Sequence, residues 1–382
     1  MDSEKIYLNF PSCIEQEFPH EFSSAFQAVE QILKVITNKN FSSLEKKSPA
    51  LKDNDWENYL KCSLIRVVHS LQILTNLGFK SGHILDLGSY FGNFSIPFAE
   101  KGFQVDACDS YSDYIEALDG VVKLLQQFGI NILDFQDVGY DLGGIEPQTY
   151  DVVLCMGVIE HIPHTPRILL ESIDRVLKPD GILVIDTPNL SYVYNRRKIM
   201  RGESALTPIE FQYNTELPFQ GHHREYTINE IGWLLSQINQ KILDYRLFNY
   251  SYYGIDYISG YDLENYKLMQ KYPELREYIL VVSQKNKHDD CYAENRRIIQ
   301  NIDNFDYYSF YSEMLFKQKQ KEEEMLFKQK QKEEEINKEM GALLFELNDI
   351  KEKNVFQLFR FLYQLEVKAQ KINQFINQLI KG

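Results

Sequence analysis

Two carboxylates, Asp86 and Asp109, each close a short apolar run, and 23 residues separate them. The first belongs to Ile84-Leu85-Asp86-Leu87-Gly88-Ser89-Tyr90-Phe91-Gly92-Asn93-Phe94-Ser95. That stretch reads as a buried strand, a glycine turn and a helix opening at Asn93. Parallel α/β sheets place ligand crevices at such strand ends, and an acid about 20 residues on suits a ribose. A dinucleotide fingerprint would need glycine at 88, 90 and 93, and Tyr90 and Asn93 lack the close backbone approach that a pyrophosphate requires. Three histidines offer proton chemistry: His161, just after a later apolar run, and the pair His222 and His223. Neutral imidazole can take a proton from a hydroxyl near pH 7. No H-E-x-x-H and no clustered Cys/His ligands occur, so no metal is expected.

The elements that must position these groups alternate from Gly82 to Lys285. Strands are expected at 83–87, 103–108, 131–135, 150–156 and 180–186, and helices at 93–101, 112–128, 165–177 and 227–239. Two more runs, 242–250 and 278–283, would complete the sheet. Near-continuous apolar strands alternating with helices imply an α/β fold, a Rossmann-like doubly wound sheet covered on both faces. Residues 1–80 read as an N-terminal helical region. Phe22, Phe26, Val29, Ile32, Leu33 and Ile36 recur at helical spacing, and Asp53 or Asn54 could cap a helix running to about Leu77. These helices are expected to pack on one edge of the sheet.

On the residues now in view the chain resembles the class I S-adenosylmethionine-dependent methyltransferases, whose first motif is D-x-G-x-x-x-G. Asp86, Gly88 and Gly92 match it. S-adenosylmethionine has no pyrophosphate and does not need the lost glycines. Further on come Tyr150-Asp151-Val152-Val153, Glu160-His161-Ile162, Arg175-Val176-Leu177-Lys178-Pro179-Asp180-Gly181, Thr187-Pro188-Asn189 and Gly221-His222-His223-Arg224-Glu225-Tyr226. In this order they resemble the ubiquinone-biosynthesis-like and glycan-associated branch, over about residues 81–285. The resemblance implies seven strands with the last antiparallel, and S-adenosyl-L-methionine as cofactor. It implies a cofactor site of Asp86, Gly88, Gly92, Asp109, Asp137 and Met156, with Asp137 meeting the adenine amino group. It places His161 near the methyl end of the cofactor and the stretch 221–227 at the mouth of the site.

Two inserts interrupt the catalytic domain (81–288), near 190–221 and 251–277. The first carries Arg196, Arg197, Lys198 and Arg201 within an acidic chain. It is either a seat for an anionic substrate group or the solvated face of a short helix. The second carries Tyr252, Tyr253, Tyr257, Tyr261, Tyr266 and Tyr272, suited to stacking on a sugar ring or to a small cap.

The tail (289–382) is a different object. Residues 314–324 recur identically at 325–335, and from Ile336 to Leu379 apolar residues follow in steps of three or four, a stripe broken by Asn354. An eleven-residue repeat keeps a helix face nearly unrotated. The reading is a solvated helical spacer over about 317–335 and a coiled coil over about 336–379 that self-associates, with a membrane surface as the second choice of partner.

A net charge of −14 argues against a general nucleic-acid binder. Five scattered cysteines without C-x-x-C spacing, and an N-terminus unlike a signal peptide, fit a cytoplasmic protein. No uncharged apolar run approaches 18 residues. The expected activity is O-methylation of a sugar or glycan precursor. Methylation of a small aromatic or quinone-like hydroxyl is the alternative, and a non-catalytic scaffold associating through its coiled coil is another.

Overall fold

The computed structural model describes residues 5–7, 12–36, 55–135, 141–217, 219, 221–249, 251, 257–286, 291–300, 307–350, 359–360, 362–364 and 366–368. In chain order its elements begin with β1 (Lys5–Tyr7), α1 (Ser12–Glu17), α2 (Pro19–Ile36) and α3 (Trp56–Asn76). The core alternation follows as β2 (His83–Leu87), α4 (Ser95–Glu100), β3 (Gln104–Asp109), α5 (Ile115–Gln127), β4 (Asn131–Asp134), β5 (Tyr150–Met156), α6 (Arg167–Val176) and β6 (Leu177–Pro188). The first insert holds α7 (Val193–Met200) and α8 (Ile209–Tyr213). Then come α9 (Ile228–Gln237), β7 (Gln240–Phe248), the second insert's β8 (Tyr257–Ser259) and α10 (Gly260–Lys271), β9 (Tyr278–Lys285), α11 (Cys291–Gln300) and α12 (Tyr307–Ile350).

Seven strands form one sheet in the order β4-β3-β2-β5-β6-β9-β7. The first five neighbours run parallel, and β9 is antiparallel to both β6 and β7. Side chains alternate faces along a strand, so each strand feeds two cores. Ile84, Val105, Val152, Leu154, Val184 and Leu280 join α2, α3 and α5 on one face. Leu85, Leu87, Val153, Leu183, Ile185 and Val281 join α6, α9 and α11 on the other. The N-terminal helices therefore cover a face of the sheet rather than an edge.

The helix starts have local causes. Asp55 caps α3 by accepting the Asn58 N–H at 3.0 Å. The cap expected at Asp53 or Asn54 thus falls one or two residues later, and those two positions lie outside the described residues. Thr227 and Glu230 form a reciprocal capping box at the start of α9. Strand β6 begins at Leu177, earlier than the expected 180. Its K-P-D-G turn is absorbed into the strand, with Asp180 held at φ +63°.

The first compact unit comprises residues 1–302 and the second 303–382. A catalytic-domain boundary at 288 would have left α11 outside, yet α11 packs on α9 and β7. Asn295 ties it down, accepting the Ile242 N–H at 2.8 Å and donating to the Gln240 carbonyl at 2.9 Å. Gly232 makes room, since a Cβ there would stand 2.3 Å from Ile299. The second insert also reaches the N-terminus: β8 pairs antiparallel with β1.

In the second unit α12 runs 44 residues, about 66 Å at 1.5 Å per residue. Met325, Leu326, Phe327, Leu344 and Phe345 are exposed on it. Much of the apolar stripe beyond Ile350 lies outside the described residues. No helix among the described residues is long and apolar enough to cross a membrane.

Candidate active site

The turn after β2 is shaped by contacts that exclude side chains. Gly88 has φ +70°, and a Cβ on it would lie 2.4 Å from Val158; Gly92 has φ +75°, and its Cβ would lie 2.3 Å from Leu125. Positive φ and the missing Cβ are both required there. Tyr90 takes φ +45° in the same turn, a costly conformation for an aromatic residue. Its N–H donates to the Asp109 carboxylate at 2.8 Å, and its ring packs on Phe91 at 4.0 Å and towards Trp56 of α3 at 6.2 Å.

The register lines the candidate cofactor residues along one end of the sheet. Leu87 pairs with both Cys108 and Cys155, and Met156 pairs with Asp186. Asp86, Asp109 and Met156 therefore sit at the carboxyl ends of β2, β3 and β5, where open α/β sheets bind ligands. Asp86 is buried and accepts the Ser95 hydroxyl at 2.5 Å. Burial pushes its carboxyl up to about 7, and the neighbouring Asp109 adds to the shift. Asp109 accepts the Tyr90 N–H and the Ser110 N–H, at 2.8 and 2.7 Å. Burial raises its pKa, against the pull of those two donors. Asp137 lies outside the described residues.

The histidines separate once placed. His161 ends the 3-10 turn Ile159–His161 directly after β5 and is exposed. His222 lies against it, ring centroids 4.8 Å apart and edge to face. His223 faces elsewhere: its Nε2 meets the Phe219 carbonyl at 3.0 Å and its ring packs on Phe219. Its backbone N–H donates to the Glu160 carbonyl at 2.7 Å, which fastens the 221–227 stretch to the turn after β5.

Two acids complete this corner, neither chosen from the sequence as a catalytic candidate. Glu225 meets His222 Nδ1 at 3.1 Å through one carboxylate oxygen, and its other accepts from Asn195 of α7, also at 3.1 Å. A carboxylate only accepts, so Nδ1 carries the proton and Nε2 is left for the site. Burial alone would lower the His222 pKa, but Glu225 and the charge of Glu160 outweigh it and raise it. Glu160 is fully buried, and among the described residues neither carboxylate oxygen has a hydrogen-bond partner. Burial pushes it up to about 7, with His222 opposing. Ligand atoms of Glu160, His161 and His222 all lie within 4.8 Å of one another. That set is invisible as a sequence motif because 61 residues separate its last two members.

Behind the corner, Arg66 of α3 reaches Asp186 at the end of β6 with two hydrogen bonds of 2.7 Å, both groups buried. Asp186 holds the guanidinium firmly charged. Gly157 permits the approach, since a Cβ there would stand 2.9 Å from Arg66 Nη2. Asn189 of the T-P-N stretch is structural: its amide donates to the Glu274 and Arg276 carbonyls and its oxygen accepts from Ser191.

Residues 56–245 match a family described as a methyltransferase domain. This stretch is similar to methyltransferase domains. Among similar proteins, the "Ubiquinone biosynthesis O-methyltransferase" of Rickettsia canadensis (strain McKiel) is 34% identical over 106 residues, 28% of this chain and 42% of that one. The protein of the same name from Rickettsia akari (strain Hartford) is 29% identical over 159 residues, 40% of this chain and 61% of that one. The match thus spans about half the length of these relatives. Among solved structures, the 1,6-didemethyltoxoflavin-N1-methyltransferase of Burkholderia thailandensis, with 1,6-didemethyltoxoflavin and S-adenosylhomocysteine bound, is 16% identical at a TM-score of 0.38, covering 75% of this chain and 96% of that chain.

Proposed function

We propose that this methyltransferase domain moves the methyl group of S-adenosylmethionine to a hydroxyl of a small molecule, with His222 as the general base. The observation that carries the reading is His222 itself. Glu225 fixes its tautomer, and the buried, unpartnered carboxylate of Glu160 faces it. Methyl transfer from a sulfonium is an in-line displacement that needs positioning and one proton removed. The sulfonium supplies the reactive methyl. Asp109 offers acceptors to the ribose hydroxyls, while Asp86, Gly88, Gly92 and Met156 shape the remaining cofactor crevice. His222 Nε2 takes the acceptor proton, and the Glu225 carboxylate stabilises the imidazolium that forms. His161 borders the same corner, and His223 is held in a structural contact.

The relatives' name favours a phenolic, quinone-like hydroxyl as acceptor. The ring cluster of Tyr192, Tyr194 and Tyr261 in the inserts suits a sugar or glycan precursor equally well. Methyl transfer measured against a panel of catechols, nucleotide sugars and lipid-linked sugars separates the two. His222→Ala should lower kcat on the order of 100-fold with cofactor affinity kept. Near-normal kcat in that variant with the acceptor the panel identifies would end the base assignment.

A second reading rests on the close approach of Glu160, His161 and His222. One carboxylate oxygen and two imidazole nitrogens suit a divalent transition metal, which would lower the pKa of the acceptor hydroxyl directly. Activity that is abolished by a chelator and restored by Zn²⁺ or Mn²⁺ would favour this reading. Activity indifferent to chelation would remove it.

A further inference from the structure

The first insert holds a cation that the described residues leave unanswered. Arg197, on α7, is only 7% exposed. Its Nε is enclosed and has no hydrogen-bond partner, and among the described residues no carboxylate pairs with it. The guanidinium carbon lies 4.6 Å over the ring of Tyr261, on α10 of the second insert. Two of the other basic groups on this stretch are engaged. Arg196 donates to the Ser191 carbonyl at 2.7 Å, and Arg201 holds Glu203 through two bonds of 2.8 Å. Nearby acids are engaged as well. Asp262, next to Tyr261, accepts from the Tyr194 hydroxyl, and Glu225 is shared between His222 and Asn195. A buried guanidinium without a counter-charge is expensive, and a ring contact offsets only part of that cost. In a chain of net charge −14 the missing partner is not a matter of scarce acids.

We infer that Arg197 and Tyr261 form a seat for a small anionic group, a carboxylate or a phosphate. With its guanidinium carbon over the Tyr261 ring, the Arg197 fork would offer its edge for two parallel N–H···O bonds. Asn195, two residues earlier on the same helix, braces the Glu225–His222 pair. One rigid turn of helix therefore carries both the seat and the support of the base. The anion is either part of the methyl acceptor, whose hydroxyl the seat would orient, or a free ion held beside it. The acceptor form deepens the proposed methyl transfer. Its test nevertheless reads anion binding without any methyl transfer, so either idea can fail alone.

The test compares the full chain with Arg197→Met and Arg197→Lys, using inorganic phosphate as the probe and chloride at matched ionic strength as the control. Without phosphate, Arg197→Met should unfold at a temperature equal to or above that of the parent, because it removes an uncompensated charge. With phosphate, the parent's melting temperature should rise while that of Arg197→Met does not, and calorimetry should show affinity weakened at least 30-fold in the variant. Arg197→Lys keeps the charge without the fork and should bind in between. A lower melting temperature for Arg197→Met together with equal phosphate responses in all three proteins would overturn the seat and make Arg197 a packing residue. Once an acceptor is known, the source can be assigned. A kcat/KM loss in Arg197→Met for the anionic acceptor but not for its neutral analogue places the anion on the acceptor. An equal kcat/KM for both, with phosphate binding still lost, places it in solution.

Discussion

The Arg66–Asp186 pair makes the sharpest energetic prediction, because its geometry fixes both the sign and the pH dependence. Both groups are buried, Arg66 donates two hydrogen bonds of 2.7 Å to the Asp186 carboxylate, and the guanidinium also lies 5.3 Å from the Phe94 ring centre and 5.0 Å from that of Tyr278. Replacing Arg66 by Met strands a carboxylate with no solvent. That carboxylate will protonate rather than stay charged. Protonating a group of unfolded pKa near 3.9 at pH 7 costs about 1.4 kcal/mol per unit over roughly 3 units, so about 4 kcal/mol. The sign follows from linkage. The variant's folded pKa is raised, so stability is lost as pH rises above the unfolded pKa. At pH 5 the same protonation costs only about 1.5 kcal/mol. Asp186→Leu strands a guanidinium that cannot lose its proton, at a cost of about 3–5 kcal/mol. The double variant Arg66→Met with Asp186→Leu replaces ions by apolar groups and should lie far closer to the parent than the sum of the singles. Urea unfolding of the four proteins at pH 5 and pH 7 measures this. Additive losses, or an Arg66→Met loss equal at the two pH values, would refute the pair as the clamp between the N-terminal helices and the sheet.

Three further outcomes are expected. Asp109→Ala should weaken S-adenosylmethionine binding by about 2–4 kcal/mol, roughly 30- to 1000-fold by calorimetry, and unchanged affinity would refute its ribose role. His69 is enclosed against Phe248, and burial, then the charge of Arg246, lower its pKa to about 4. The protein should therefore lose up to about 3 kcal/mol as pH falls from the unfolded pKa near 6.5 to 4, and His69→Met should abolish that part of the acid sensitivity in denaturant titrations. Deleting residues 303–382 should leave a monomeric, cofactor-binding domain while the full chain self-associates; light scattering that finds the full chain monomeric at tens of micromolar would turn attention to another partner for the tail.

The sheet was readable because burial on both faces writes long apolar runs, and glycine is forced where Gly88 meets Val158 and Gly92 meets Leu125. The end of the domain was less readable. Cys291–Gln300 looks like the start of the tail, and only the Asn295 bonds to β7 attach it to the sheet. Arg66 could not be singled out, because a charged residue in a helical stripe ordinarily faces water and its partner lies 120 residues away. Glu225 and Glu160 were hidden for a similar reason. Their meaning comes from what faces them, and the histidine between them belongs to a loop whose path the sequence does not set. The pairing of β1 with β8 is equally long-range and short, below what strand patterning can signal.

Methyl transfer to oxygen with His222 as the base is the activity proposed for this chain. The direct measurement is transfer of labelled methyl from S-adenosylmethionine to the hydroxyl panel, with the product's methyl position read by NMR. An O-methyl product is expected from the parent, with the rate reduced on the order of 100-fold in His222→Ala at unchanged cofactor affinity. A methyl group found on nitrogen or carbon, or an O-methyl product formed equally fast without His222, would contradict it.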